Sequence, residues 1–420
     1  LPLKGRSSTG EPAFLQSKIF NLQSSIENQK FRMVRVAFFP DSFHEANGVA
    51  RTCRTLEGIA RRRGLPFFTV RCGETTQQLE DGSTRAFELA RGNLSFSVET
   101  DLNFDLGLWR YVNDVRQAVR EFKPDVVHVT GPSDVGQMGV RIAKSLKLPI
   151  VMSWHTNLHE YAGRRLEKVL KGLPELVRDS AGAWAEREAL RATMAFYRFA
   201  NVCLAPNAEL VKLVEEMTGR RTFLMRRGID AELFSPDKRT RGEGGPVRFG
   251  FVGRLSTEKN VRLIAETARA LRTAGHEAVE FYLIGEGSER GWLEANVSGA
   301  TFTGILRGED LSRAYADLDV FLFPSRTDTF GNVILEALAS GVPCVVTDAG
   351  GPKFLVEDGV CGLVTATDAE FITAAARLAT DEVLRAGMRA AASAHARRAS
   401  WDAVFDEVAT AYRMAVEKSA

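Results

Sequence analysis

From residue 34 onward, short apolar runs alternate with longer amphipathic stretches. The runs fall at 34–39, 126–129, 149–153 and 202–205, then, after a polar break, at 247–252, 281–284, 320–323 and 344–346. Each has the length of a strand buried on both faces, and most lead through Gly, Pro, Ser or His into helical periodicity. That succession predicts an α/β protein built on parallel sheets. The break itself, PDKRTRGEGGP at residues 236–246, is charged, glycine-rich and aperiodic, and reads as an interdomain linker. Two doubly wound parallel-sheet (Rossmann-like) domains facing across a cleft are therefore expected. Ligands of such sheets sit beyond the carboxyl ends of the strands.

At 420 residues the chain has room for two or three domains of roughly 150 residues each. Hydrophobic residues at 45% and charged residues at 26% exclude a disordered or collagen-like chain. No apolar run approaches the roughly 18 residues of a membrane-spanning helix. The net charge of +2 conceals an asymmetry. Residues 1–240 carry about +8 and residues 241–420 about −6, with the sign changing at the linker. Cys53, Cys72, Cys203, Cys344 and Cys361 are scattered without a CxxC pair, which argues against a disulfide framework or zinc site and fits a reducing cytoplasm. Residues 1–32 lack the apolar stretch of a signal peptide and read as an extension outside the fold.

Chemistry concentrates in the second half. In RFGFVGRLSTEKN a buried strand runs into a loop where Gly253 allows a tight turn and Arg254 and Lys259 place two cations near a helix start. That combination suits a diphosphate. Gly285 and Gly287 in IGEGSERGWLE permit close backbone approach to a ligand. The dinucleotide fingerprint fails there because its third glycine position is Arg290. Phe302, Thr303 and Gly304 end a short strand whose backbone can meet a planar base. In TDTFGNVILEALASGVPCVV, Thr329, Phe330, Gly331 and Asn332 enter a helix whose free amides favour an anionic oxygen. Asp328 before that helix and Glu336 inside it are separated by seven residues and bracket an extended, hydroxyl-bearing ligand.

These motifs resemble the E-x7-E region of retaining family-4 glycosyltransferases of the GT-B fold. GRLSTEKN, IGEGSERGWLE, NGVAR at 47–51 and RRGID at 226–230 follow in that family's order. NGVAR and GGPK look most like bacterial and plastid mannosyl-, glucuronosyl- or sulfoquinovosyltransferases. The resemblance implies that Arg254 and Lys259 grip a donor diphosphate in place of a metal ion. It implies further that Glu336 binds the ribose hydroxyls, that Asp328 contacts the donor sugar, and that the amides of Phe330, Gly331 and Asn332 cradle sugar and phosphate. Asp328 stands where the family has Glu, one methylene longer. Gly48 in the first half matches a loop against the donor phosphates, and His155 matches a histidine beside the reacting sugar carbon. In the family the C-terminal helix crosses back to the first lobe. The expected organisation is thus an extension at 1–32, an acceptor-side domain at 33–236 plus a helix within 400–420, and a donor-binding domain at 237–399.

Other features take plainer readings. His159 lies four residues after His155 without a third ligand, so no metal site is expected, and Asp317-Leu318-Asp319 lies at a helix-to-strand junction where a structural role fits. Arg61–Arg63, Arg141, Lys144, Lys147, Arg164, Arg165, Lys168 and Lys171 make the first half basic, with Trp109, Trp184, Phe196, Tyr197 and Phe199 nearby. Peripheral contact with an anionic membrane and a solvated helix face both fit this pattern, whereas no nucleic-acid-binding motif is present. The expected activity is retaining, metal-independent transfer of a hexose-type sugar from a UDP- or GDP-sugar to a lipid or glycan hydroxyl, with no cofactor. A nucleotide-sugar-binding module without turnover, or a GT-B epimerase, is the alternative.

Overall fold

The computed structural model describes residues 33–418 except 46, 93–94, 100–101, 158–169, 171–174 and 243. The expected N-terminal extension, His159, Arg164, Arg165, Lys168 and Lys171 lie outside the described residues.

The first sheet has eight strands: β1 (Val36–Phe39), β2 (Phe67–Gly73), β3 (Gln77–Asp81), β4 (Thr84–Ala90), β7 (Val126–Val129), β8 (Ile150–Ser153), β9 (Val202–Ala205) and β10 (Thr222–Leu224). Their spatial order is β10-β9-β8-β7-β1-β2-β4-β3, so the winding reverses between β1 and β7. A separate hairpin joins β5 (Ser95–Glu99) and β6 (Leu102–Asp105). The second sheet orders β13 (Thr301–Gly304), β12 (Val279–Ile284), β11 (Val247–Val252), β14 (Val320–Phe323), β15 (Cys344–Thr347) and β16 (Gly362–Thr365), reversing between β11 and β14.

Strand composition explains this arrangement. In β1, Ala37 and Phe39 join the apolar cluster on one face of the sheet, while Val36 and Phe38 join the cluster on the other. Both faces are covered, so the strand reads as an unbroken apolar run rather than an alternating one. The second sheet is parallel throughout. The first is not: β3 runs antiparallel to β4, turning at Gly82 with φ 61°. Every residue of β3, QQLED, is exposed, so this edge strand carries no apolar signal.

The helix Trp401–Glu417 follows the second sheet in sequence but packs on the first. Val404, Phe405, Val408 and Tyr412 are buried among Phe38, Leu56, Ile59, Val151 and Leu204. Each of those four side chains contributes about 1.5–3 kcal/mol of burial. Ion pairs from Arg63 to Asp402 (2.7 Å) and Asp406 (2.5 Å) staple its exposed side. Arg61 pairs with Asp81, so part of the basic stretch at 61–63 is neutralised within the first lobe.

The 236–246 segment is not a free linker. Arg239 and Arg241 each donate to the Asp319 carboxylate at 2.8 Å, and Thr240 N donates to Asp317 Oδ1 at 2.8 Å. Arg389 reaches the same Asp319 oxygen as Arg239 at 3.2 Å. Low hydrophobicity made the segment look unattached, yet its charges have partners about 80 residues away. Both DLD carboxylates are thereby engaged in holding the crossing chain. The passage between lobes lies earlier, where Ile229 and Phe234 already belong to the second lobe's core.

Candidate active site

The carboxyl ends of the strands at the two switch points face one another. On the second lobe, β11 runs into Gly253 and Arg254, and a single helical turn, Thr257–Lys259, brings Lys259 to the loop after β14. Lys259 Nζ donates to Asp328 Oδ1 at 2.6 Å. The other carboxylate oxygen, Asp328 Oδ2, is buried without a hydrogen-bond partner among the described residues. Arg254 Nη1 lies 3.3 Å from Glu258 on the more exposed side of the same turn. The loop is fixed from below by Gly351 N donating to Asp328 O at 2.7 Å. It then enters the helix Asn332–Ala339 through Gly331, whose φ of 97° turns the chain into the first helical residue.

Glu336 projects from that helix into the space between the lobes and is only 3% exposed. Tyr315 Oη donates to Glu336 Oε2 at 2.9 Å, and Arg51 of the opposite lobe pairs with Oε1. Burial raises the Glu336 pKa above the ordinary carboxylate value, while Arg51 and Tyr315 oppose the shift. Thus the carboxylate expected to meet ribose is held by an arginine reaching across from the helix Gly48–Arg62.

That helix starts where the motif predicts. The Asn47 side chain accepts from Ala50 N at 2.8 Å, a capping bond. Gly48 then lies against the Asn332 amide, and a Cβ at Gly48 would stand 2.9 Å from Nδ2. Further contacts join the lobes: Asn207 Nδ2 donates to Thr329 O at 3.1 Å, and Thr329 Oγ1 donates to His155 O at 3.1 Å.

His155 is 6% exposed. Its Nε2 lies 2.6 Å from Ser153 Oγ and its Nδ1 lies 2.8 Å from Arg227 Nη2. Burial, reinforced by Arg227 and His128, pulls its pKa well below the ordinary value, so the ring is neutral. Both ring nitrogens are taken in this arrangement, and what His155 presents to the second lobe is its carbonyl oxygen. At the end of β1, Asp41 accepts from Ser133 Oγ at 2.5 Å, and burial raises its pKa to about 7.

The structure thus brings together Gly48, His155, Lys259, Asp328, Thr329, Phe330, Gly331, Asn332 and Glu336, with Gly253 and Arg254 on the adjoining turn. Gly304 stands apart at the end of the edge strand β13, and its carbonyl accepts from Gly285 N at 2.8 Å. Gly285 and Gly287 serve a different close approach from the one expected. A Cβ at either would meet the Gly253 or Leu255 carbonyl oxygen at 1.9 or 2.1 Å, so they admit the neighbouring loop rather than a ligand. Sequence reasoning gave no role to Arg51, Asn207, Arg227 or Tyr315. Arg51 and Arg227 lay inside quoted motifs, whereas Tyr315 carried no signal beyond helical periodicity.

Two parallel-sheet lobes meeting at such a site form a GT-B-type scaffold, and comparison with known proteins makes this specific. Residues 47–224 match the family described as glycosyl transferase 4-like domain, and residues 246–381 match glycosyl transferases group 1. The chain belongs to this GT-B glycosyltransferase family. It is 28% identical over 395 residues to a GDP-mannose-dependent alpha-mannosyltransferase of Corynebacterium glutamicum, covering 91% of this chain and 89% of that one. It is 31% identical over 343 residues to the Mycobacterium tuberculosis enzyme of the same description, covering 79% and 83%. Sucrose-phosphate synthase from Thermosynechococcus elongatus shares the fold, with a TM-score of 0.67, 18% identity, and coverage of 90% of this chain and 98% of that one.

Proposed function

We propose that this glycosyltransferase moves mannose from GDP-mannose to a hydroxyl of a lipid or glycan acceptor, with retention at the anomeric carbon. The observation that carries the reading is Asp328 Oδ2, a buried acceptor oxygen without a donor, beside Lys259 and ahead of a helix N-terminus. A sugar hydroxyl supplies that missing donor, because a buried acceptor left unpaired costs about 1–3 kcal/mol. The GDP-mannose relatives favour guanosine and mannose over the UDP-sugar alternative.

In this mechanism Lys259 and Arg254 meet the diphosphate in place of a divalent cation and stabilise the charge that grows as it leaves, the electrostatic effect that dominates many such steps. The free amides at 330–332 add donors, and Glu336 releases Arg51 to receive the ribose hydroxyls. Departure of the diphosphate generates an oxocarbenium-like sugar, and the acceptor oxygen bonds to its anomeric carbon on the same face while passing its proton to the leaving phosphate oxygen. Closure of the two lobes excludes water.

An anionic bilayer is proposed as the setting for a lipid acceptor. Lys144 lies 3.2 Å from the Phe199 ring centroid and Arg141 lies 5.6 Å from that of Trp109, forming an exposed basic-aromatic patch on the first lobe. Among the described residues no helix is long and apolar enough to cross a membrane.

The test is release of GDP from GDP-mannose in the presence of membrane extract, alongside UDP-glucose and UDP-glucuronate as competing donors. Acceptor-dependent GDP release with an α-linked product supports the proposal. Nucleotide binding without turnover on any donor makes the chain a binding module instead.

A further inference from the structure

Arg227 follows β10 and is only 5% exposed. Among the described residues it has no carboxylate partner. Nη2 donates to His155 Nδ1 at 2.8 Å, while Nη1 reaches only the carbonyls of Met225 and Arg226, at 3.4 and 3.5 Å. A guanidinium carries five N–H donors, so at least two are left over, and the two contacts of Nη1 are long. Burial lowers its pKa only to about 10, so the group remains charged at neutral pH. A buried cation without a counter-charge is costly to keep. Its Cζ lies 5.8 Å from the Phe330 ring centroid, at the entry to the Asn332–Ala339 helix.

The group is held from behind by an ordered chain of hydrogen bonds. Because a guanidinium only donates, His155 Nδ1 is the acceptor and the neutral ring carries its proton on Nε2. That N–H donates to Ser153 Oγ at 2.6 Å. The Ser153 hydroxyl then donates to His128 Nε2 at 2.8 Å, and His128 Nδ1–H donates to Tyr412 Oη at 2.7 Å. All four side chains are buried, and Tyr412 belongs to the C-terminal helix. The relay keeps one lone pair aimed at Arg227.

We propose that Arg227 is an oxyanion-binding residue of the nucleotide-sugar site, taking up an oxygen of the donor's diphosphate, with Ser153, His128 and Tyr412 as positioning residues that act through His155. The inference rests on the nucleotide-sugar reading above.

Calorimetric titration of the full chain with GDP, UDP, guanosine, UDP-glucose and UDP-glucuronate tests it. If the diphosphate is the oxyanion, Arg227→Met weakens GDP and UDP at least tenfold, spares guanosine, and Arg227→Lys recovers part of the loss. Unchanged GDP and UDP affinities, with a wild-type preference for UDP-glucuronate over UDP-glucose lost in Arg227→Met, overturn both the diphosphate role and the GDP-mannose donor. All affinities within twofold of wild type overturn the proposal. Failure of the wild type to bind any nucleotide overturns the parent reading as well.

Melting temperature separates a structural role, since exchanging an uncompensated cation for Met leaves it unchanged or higher. A lower melting temperature with unchanged affinities marks Arg227 as structural. For the relay, nitrogen-15 shifts of the His155 imidazole should show an unprotonated Nδ1, and Tyr412→Phe should weaken the same ligands in the same direction while Arg227 keeps that tautomer. A wild-type ring protonated on Nδ1 overturns the relay.

Discussion

Removing Arg51 tests how the two lobes hold each other, because its guanidinium caps a carboxylate that is almost fully buried. In Arg51→Ala, Glu336 keeps only the Tyr315 hydroxyl. Breaking one side of a fully buried ion pair costs about 3–5 kcal/mol. Arg51 is itself 38% exposed, so water reaches its place, and a discounted loss of about 1–3 kcal/mol is expected. For a lobe of this size each kcal/mol moves the melting temperature by about 2–4 °C. The sign with pH follows from linkage. The Glu336 pKa is already raised in the folded protein, so its favourable contribution is present at low pH and is lost as pH rises through the folded value. Without Arg51 that pKa rises further. Scanning calorimetry should therefore show Arg51→Ala close to wild type near pH 5 and several degrees lower at pH 8, with Glu336→Gln in the same background removing the difference. An equal shift at both pH values, or none, would refute the argument.

Lys259→Ala should lower kcat/KM for sugar transfer by about 10²–10³, the usual loss for one preorganised charge on a leaving group, with the circular-dichroism spectrum unchanged. Activity within twofold of wild type removes Lys259 from the diphosphate. Asp41, with its pKa raised to about 7, makes stability fall by up to about 1.4 kcal/mol per pH unit between pH 5 and 7. Asp41→Asn should flatten that part of a urea-denaturation series, and an unchanged slope contradicts it. Asp319→Asn weakens three arginine contacts and should lower the melting temperature by several degrees while leaving donor KM unchanged. A changed KM with no thermal shift would move the DLD segment into the site. Gly48→Ala sets a methyl against Asn332 and should raise donor KM with little thermal effect, read from initial rates. An unchanged KM means the lobes separate there without cost.

Much of the fold was legible because burial on both faces leaves little choice of residue. The runs that became β1, β7, β8, β9, β11, β12, β14 and β15 are predominantly apolar, with isolated polar residues such as His128 in β7, Arg248 in β11 and Glu280 in β12 too few to hide them. β2 and β4 were harder, since Arg71 and Glu88 are buried within them as an ion pair at 3.0 Å and break the apolar signal. β16 begins on Gly362, and β10 has only three residues. At the site, residues lying close along the chain were readable as a set, as with Asp328 through Glu336. Contacts assembled by topology were not. Arg51 meets Glu336 across 285 positions and His128 meets Tyr412 across 284, and nothing local marks either pair. The GEG glycines show the converse: a close approach was readable, but its partner was a neighbouring loop.

The chain passes between the lobes twice, and the two passages lie side by side. Ile229 N donates to Ala399 O at 2.8 Å, and Gly228 packs so closely on Trp401 that a Cβ would come within 2.5 Å of its backbone. Such a double strap permits rotation about one axis and resists sliding, so opening and closing are confined to a swing. It also fixes an order of assembly. The first sheet emerges early in synthesis, but Phe405, Val408 and Tyr412, which close one of its faces, are made only after the second lobe is complete. Until then that lobe presents an open apolar face, and the last helix to arrive both seals it and ties the hinge.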